Sequence, residues 1–105
     1  MAIKGVLRGE LASSIRMKER FDAELAALPR GSLVRRRIKG HAYYYLVSRE
    51  GGKVRSVYKG KVMPAGELRR YQQAKERRAK VRRSLSQLKK QIRYLKGALR
   101  GTEEF

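Results

Sequence analysis

The side chains with the clearest chemical potential are a run of cations followed by a run of tyrosines. Arg35 to Arg37 are consecutive, and Tyr43 to Tyr45 follow a few residues later. A guanidinium group presents a planar fork of donors that matches phosphate oxygens, and a tyrosine ring can stack on an unpaired base. These residue types in this order favour recognition of a polyanion.

The overall charge points the same way. The chain holds 28 lysines and arginines against 9 carboxylates, a formal net charge of +19, with a pI of about 11.2. Such a field attracts polyanions, and nucleic acid is the first candidate, with an anionic membrane surface as the second. We predict nucleic acid as the partner, DNA more than RNA, and no membrane.

Few residues could support catalysis. The sequence has one histidine, His41, one aspartate and no cysteine. Disulfides, thiolate metal sites and cysteine nucleophiles are therefore excluded, and His41 has no carboxylate near it in the sequence to make it a general base. We expect a non-enzymatic protein with no catalytic residue, metal ligand or cofactor.

Hydrophobic periodicity predicts a helix at each side of a sheet. Apolar residues recur at helical spacing over 7–28, where Pro29 stops the pattern, and again over 64–100, where Gly101 follows. We therefore predict an α+β fold with helix, three-stranded β-meander and long helix in that order, forming a single domain over 1–105.

Residues 32–60 carry the signals of the sheet. Two-residue turns are predicted at Lys39-Gly40 and Gly51-Gly52, because glycine accepts the positive φ that such turns need. They delimit antiparallel strands over 32–38, 41–50 and 53–59.

The two turns also predict a register, with Arg35 opposite Tyr44 and Tyr44 opposite Lys59. Because side chains alternate between the faces of a strand, the residues sort into two sets. The tyrosine face, expected to be the core, holds Val34, Ile38, Tyr43, Tyr45, Val47, Val54 and Tyr58. The arginine face, expected to contact nucleic acid, holds Arg35, Arg37, Tyr44, Arg55 and Lys59. Leu33, Leu46 and Val57 also fall on the arginine face, where they either pack under a helix end or contact a partner.

The long helix carries a seam of apolar residues in steps of four and three, the heptad pattern of a coiled coil. The seam consists of Val81, Leu85, Leu88, Ile92, Leu95 and Leu99. A first helix over 7–28 is too short to cover all of it. We therefore predict that the seam binds a second copy of the chain or a partner helix.

Lysines and arginines recur along the same helix with almost no carboxylates to compensate their charge. Between Leu68 and Arg100 the only acidic residue is Glu76. A coiled-coil exterior usually mixes charges of both signs, so we expect phosphates to neutralise this surface. The predicted helix contacts are Arg77, Arg82, Arg83, Lys89 and Lys90.

The chain resembles a group of small prokaryotic proteins of unknown function. The resemblance rests on Leu28-Pro-Arg-Gly-Ser-Leu33, Arg35-Arg-Arg-Ile-Lys-Gly40, Tyr43-Tyr-Tyr-Leu46 and Gly51-Gly-Lys-Val-Arg55 to Tyr58-Lys-Gly60. It implies a β-meander between two helices and no assigned biochemistry. The sheet is also similar to the amino-terminal DNA-binding sheets of phage-type tyrosine recombinases, through Gly31-Ser32, Arg35 to Arg37 and Tyr43 to Tyr45. That similarity implies DNA contact.

Together these features predict a non-enzymatic accessory protein that binds duplex DNA chiefly through phosphates. Two alternatives stay open: an adaptor that recruits a protein through its coiled coil, and an RNA-binding component of a ribonucleoprotein particle. The first ten residues lack the apolar stretch of a signal peptide. We therefore expect a cytoplasmic protein, associated with the nucleoid if it binds DNA.

Overall fold

The computed structural model describes residues 3–103 of the chain, and side chains up to residue 101. The elements in order are α1 (Ile3–Ala27), β1 (Ser32–Ile38), β2 (His41–Glu50), β3 (Lys53–Gly60) and α2 (Ala65–Glu103). This order confirms the predicted α+β fold.

The chain divides into two compact units. One runs from Leu28 to Arg78 and holds the sheet with the first part of α2; the other combines α1 with α2 from Ala79 onward. The expected single domain stays a prediction.

Both helices are longer than predicted. α1 begins at Ile3, before the first strong apolar position of the pattern, and ends at Ala27, ahead of Pro29. The carbonyl oxygen of Pro64 accepts the first backbone hydrogen bonds of α2, from the N–H groups of Glu67 and Leu68, the third and fourth residues of the helix. The expectation that Gly101 ends α2 was wrong. The helix continues to Glu103, because a glycine lowers helix propensity without blocking the backbone hydrogen bonds.

The strand bounds and both turns were predicted correctly, apart from one additional residue at the end of β3. The strands form an antiparallel sheet in the order β1-β2-β3. Lys39 and Gly40 have φ values of 52° and 80°, and Gly51 and Gly52 have 56° and 80°. Positive φ at both central residues defines the type I′ turn, whose twist suits a two-residue hairpin.

The register matches the prediction except near the end of β3. Arg35 lies opposite Tyr44, and Tyr45 lies opposite Tyr58. Tyr44, however, lies opposite Gly60, with a register shift between Tyr44 and Tyr45. The predicted pair of Tyr44 and Lys59 is therefore wrong, because a β-bulge leaves Lys59 without a partner in the ladder.

The tyrosine face is not a core, and that expectation was wrong. Every residue from Ser32 to Gly60 is half-buried or exposed. On the tyrosine face Val54 is 66% exposed, Tyr58 53% and Ile38 45%. The alternation of side chains separates two faces correctly, but it does not say which of them another element covers.

The apolar seam is buried within the chain. In the unit that contains α1, the side chains of Val81, Leu85, Leu88, Leu95 and Leu99 are all buried, and Ile92 is half-buried. α1 supplies a matching series of shielded positions at heptad spacing. They are Leu7, Leu11, Ser14, Lys18, Phe21 and Leu25.

The prediction that α1 leaves part of the seam uncovered is therefore wrong. α1 packs on α2 from Ala79 onward, which is the stretch that carries the seam. The additional residues at the start of α1 contribute little to this, since Ile3 and Val6 are exposed. The uncovered seam was the reason to predict association with a second copy or a partner helix, and that reason no longer holds. The oligomeric state itself stays a prediction. Supercoiling of the helical pair also stays a prediction.

One polar contact lies within this helical pair. Ser14 is 4% exposed, and its hydroxyl accepts a hydrogen bond of 3.0 Å from the side-chain amide of Gln91. A buried hydroxyl without a partner would destabilise the fold by about 1–3 kcal/mol. The contact therefore favours the alignment that places Ser14 beside Gln91.

We expect Gly31→Ala to destabilise the protein. Gly31 has a φ of 88°, and an added Cβ would lie 2.9 Å from the carbonyl oxygen of Val47. The backbone conformation alone costs about 1–2 kcal/mol for an L-residue, so the midpoint of urea unfolding should fall.

Gly97→Ala is the matched control, since this glycine lies inside α2 with no heavy atom within 4 Å of the added Cβ. It should stabilise the helix by about 1 kcal/mol. A Gly31→Ala variant as stable as the wild type would contradict the positive φ of Gly31 and its close approach to Val47.

Candidate nucleic-acid interface

The arginine face brings together three of the residues predicted to contact nucleic acid. Arg35 and Arg37 are two positions apart on β1, so their side chains leave the same face of the sheet. Arg35 lies opposite Tyr44, which is half-buried, whereas both arginines are exposed. This corner of the sheet can present two guanidinium groups to phosphates.

Arg55 and Lys59 do not join that corner. Arg55 lies opposite Ser48, four positions along β2 from Tyr44, which is about 13 Å in an extended strand. Its guanidinium donates a hydrogen bond of 3.4 Å to the carboxylate of Glu50, so part of its charge is compensated. Lys59 lies at the bulge, outside the row of Arg35 and Tyr44.

Helix α2 lies close to one end of the arginine face. A pocket of about 230 Å³ is lined by Ser32 and Leu33 of the sheet and by Leu68 and Tyr71 of α2. Leu33 is half-buried at this end of the face, and its packing under a helix end stays a prediction. The arginine face is exposed at Arg35 and Arg37 of β1 and also along β3, at Arg55 and Val57.

The tyrosine face carries a cluster of rings. The centroid of Tyr58 lies 6.2 Å from that of Tyr43 and 5.6 Å from that of Tyr45, at interplanar angles of 58° and 57°. Tilted pairs at such distances are favourable aromatic contacts. His41 extends the cluster beyond Tyr43, at a centroid distance of 6.5 Å.

Two cations lie over these rings. The guanidinium carbon of Arg36 is 5.2 Å from the centroid of Tyr45, and the ammonium nitrogen of Lys61 is 5.9 Å from the centroid of Tyr43. Both distances fall within the range of cation–π attraction. The face thus combines aromatic rings with positive charge.

These residues were missed when the tyrosines were assigned to the core, although the sequence held a clue. The alternation that places Val34 and Ile38 on the tyrosine face also places Arg36 there. An arginine is rarely buried without a partner, so its presence indicated an open face.

The predicted helix contacts form columns on α2. Arg82 and Lys89 are seven residues apart, as are Arg83 and Lys90, so each pair lies on one side of the helix about 10 Å apart. All four side chains are exposed. Arg77, the fifth, is also exposed but already takes part in an interaction within the protein.

The described residues offer no metal centre. Among residues 3–103, no three histidine, aspartate or glutamate side chains converge to hold an ion. The absence of catalytic function stays a prediction.

Neither of the two described helices contains an apolar, weakly charged stretch of the length that a bilayer crossing requires.

Residues 9–70 match a family model described as a domain of unknown function, DUF6788. The match covers more than half of the chain, which therefore belongs to this family. Comparisons with curated proteins and with solved structures give no match. The family carries no assigned activity, so the function has to be argued from the surface chemistry.

We predict that nitration with tetranitromethane modifies Tyr58 before Tyr44. Tyr58 is 53% exposed on the tyrosine face, whereas Tyr44 is half-buried on the arginine face. Tyr94, which is 74% exposed on α2, provides the internal standard for a freely reacting ring. Mass spectrometry of a time course gives the order, and faster modification of Tyr44 than of Tyr58 would mean that the arginine face is the more open one.

Proposed function

We propose that this protein is a non-enzymatic nucleic-acid-binding module that contacts phosphates through exposed arginines and lysines. Duplex DNA is the proposed target. The arginine face and the cation columns of α2 supply the contacts. The resemblance of the sheet to DNA-binding sheets of tyrosine recombinases belongs to this proposal, and no solved structure matches the chain. The proposal also keeps the expected cytoplasmic, nucleoid-associated location.

The observation that carries the proposal is cationic charge that the chain cannot neutralise. With 28 cations and 9 carboxylates, one-to-one pairing would leave nineteen cations without a carboxylate. Between Leu28 and Arg78 the imbalance is fifteen to three. Like charges at this density repel one another and destabilise the compact state. Bound phosphates would remove that repulsion and release counterions.

Exposure makes these cations available to a partner. Arg35, Arg37, Arg82, Arg83 and Lys89 are all exposed. Arginine and lysine contacts of this kind position a protein on the phosphate backbone without reading bases. The proposal therefore expects binding that depends weakly on sequence.

The adaptor alternative is not favoured by any observation on the described residues. It required an apolar seam left open for a partner helix. Five of the six seam residues are buried within the chain, and Ile92 is half-buried.

The proposal can be tested with two charge-matched variants. Arg35→Gln with Arg37→Gln removes two cations from the arginine face. Arg16→Gln with Arg20→Gln removes two exposed cations from α1, where the five bases of residues 1–27 face four acids. Affinity for a labelled duplex is measured by fluorescence anisotropy at fixed salt.

We expect the sheet variant to bind at least roughly tenfold more weakly, since a charge-assisted hydrogen bond contributes about 1.5–3 kcal/mol. The α1 variant should lose much less. Equal losses would mean that only total charge matters and that the arginine face is not a contact surface.

A further inference from the structure

We propose that the exposed ring of Tyr58, held in the tyrosine cluster of Tyr43, Tyr45 and Tyr58, is a stacking surface for unpaired bases of single-stranded nucleic acid. This inference rests on the proposed function and goes beyond it by adding a second substrate class, single-stranded nucleic acid, to the duplex proposed above. It assigns the tyrosine face a chemistry that differs from the phosphate contacts of the arginine face.

The first support is the position of Tyr58. It lies between the two other rings, within 6.2 Å of Tyr43 and 5.6 Å of Tyr45, and yet it is 53% exposed. The neighbouring rings restrict it on the sheet while leaving about half of its surface to solvent. A ring held in place in this way loses little conformational entropy when a flat partner stacks on it.

The second support is the apolar row that contains the ring. Val34 lies opposite Tyr45, and Tyr45 lies opposite Tyr58, all on the tyrosine face. Apolar groups that adjoin an exposed aromatic ring are typical of a binding surface. The partner should therefore have apolar or aromatic faces of its own.

The third support is charge. Arg36 and Lys61 lie over Tyr45 and Tyr43, and Arg49 shares the tyrosine face by alternation. Glu50, the only carboxylate between Ser32 and Gly60, alternates to the arginine face, where it binds Arg55. The tyrosine face of the sheet thus has cations and no carboxylate, which complements an anionic partner.

Nucleotides combine the two required properties, a flat aromatic base and a negative phosphate. In a duplex the bases stack on one another and present only their edges, so a tyrosine ring cannot reach their faces. Unpaired bases can be splayed out and stacked on aromatic side chains of a sheet. The surface therefore fits a single strand and not a closed duplex.

The test compares Tyr58→Leu with the wild type on a labelled twelve-residue oligothymidylate and on a duplex of equal length. Leucine keeps an apolar side chain and the full charge but removes the ring. Stacking contributes about 1–3 kcal/mol per base, so single-strand affinity should fall about 5- to 150-fold. Duplex affinity should stay within about twofold.

Two further variants serve as controls. Tyr58→Phe keeps the ring and should retain single-strand affinity. Tyr94→Leu makes the same chemical change at an exposed tyrosine of α2 and should alter neither affinity. Unchanged single-strand affinity in Tyr58→Leu would overturn the inference. Equal losses on both oligonucleotides would do so as well.

A second measurement does not depend on any variant. An oligonucleotide of equal length with abasic sites keeps the phosphates and lacks the bases. The wild type should bind it at least fivefold more weakly than oligothymidylate. Equal binding of the two would contradict base stacking while leaving phosphate recognition intact.

The outcomes separate the inference from the proposed function. Salt-sensitive duplex binding with no effect of Tyr58→Leu on the single strand would refute the inference alone. No binding of any oligonucleotide at low salt would refute both. If sedimentation showed that Tyr58→Leu dissociates a wild-type dimer without changing oligonucleotide affinity, the tyrosine face would be an interface between copies, and the inference would be wrong.

Discussion

The packing of α1 against the later part of α2 is the constraint on which the rest of the structure depends. Of the six buried apolar residues among the described part of the chain, five lie on this stretch of α2, and Ala74 lies earlier on the same helix. Fully burying a leucine or valine side chain contributes about 1.5–3 kcal/mol. The helical pair therefore supplies most of the hydrophobic stabilisation that the chain obtains.

Because the hydrophobic core lies between the helices, the fold does not depend on a buried face of the sheet. A three-stranded sheet normally needs one covered face to be stable, yet no residue between Ser32 and Gly60 is buried. Its order comes instead from two tight type I′ turns, from the contacts of Tyr58 with the half-buried Tyr43 and Tyr45, and from the first part of α2 near Leu33. A sheet of this kind can offer different chemistry on its two faces, guanidinium groups on one and aromatic rings on the other.

Much of the fold could be predicted from the sequence because its signals are local. Glycines between β-forming residues indicate turns, as Gly40 and the Gly51-Gly52 pair do here. Prolines indicate helix bounds, as Pro29 and Pro64 do. The bulge beside Lys59 could not be predicted, since one additional residue in a ladder leaves no periodic signature.

The residues of the sheet were sorted correctly into two faces, but the tyrosine face was wrongly predicted to be the core. Burial of a face depends on where α2 packs, which the alternation of side chains does not show. The coverage of the seam was missed for a similar reason, because helical periodicity does not say that α1 packs on α2 from Ala79 onward. Of the candidate site, Arg35, Arg37 and Tyr44 were placed together correctly, whereas the role of Arg36 beside Tyr45 requires knowing that the face is open.

The most direct measurement of the central claim is the salt dependence of duplex DNA affinity. Each neutralised phosphate contributes about −0.9 to the slope of log Kobs against log salt concentration. If the four cations Arg35, Arg37, Arg82 and Arg83 each neutralise one phosphate, the slope is about −3.6, and further contacts make it steeper. We predict a slope at least this steep that is nearly the same for unrelated sequences. A slope near −1, or an affinity that does not respond to salt, would contradict it.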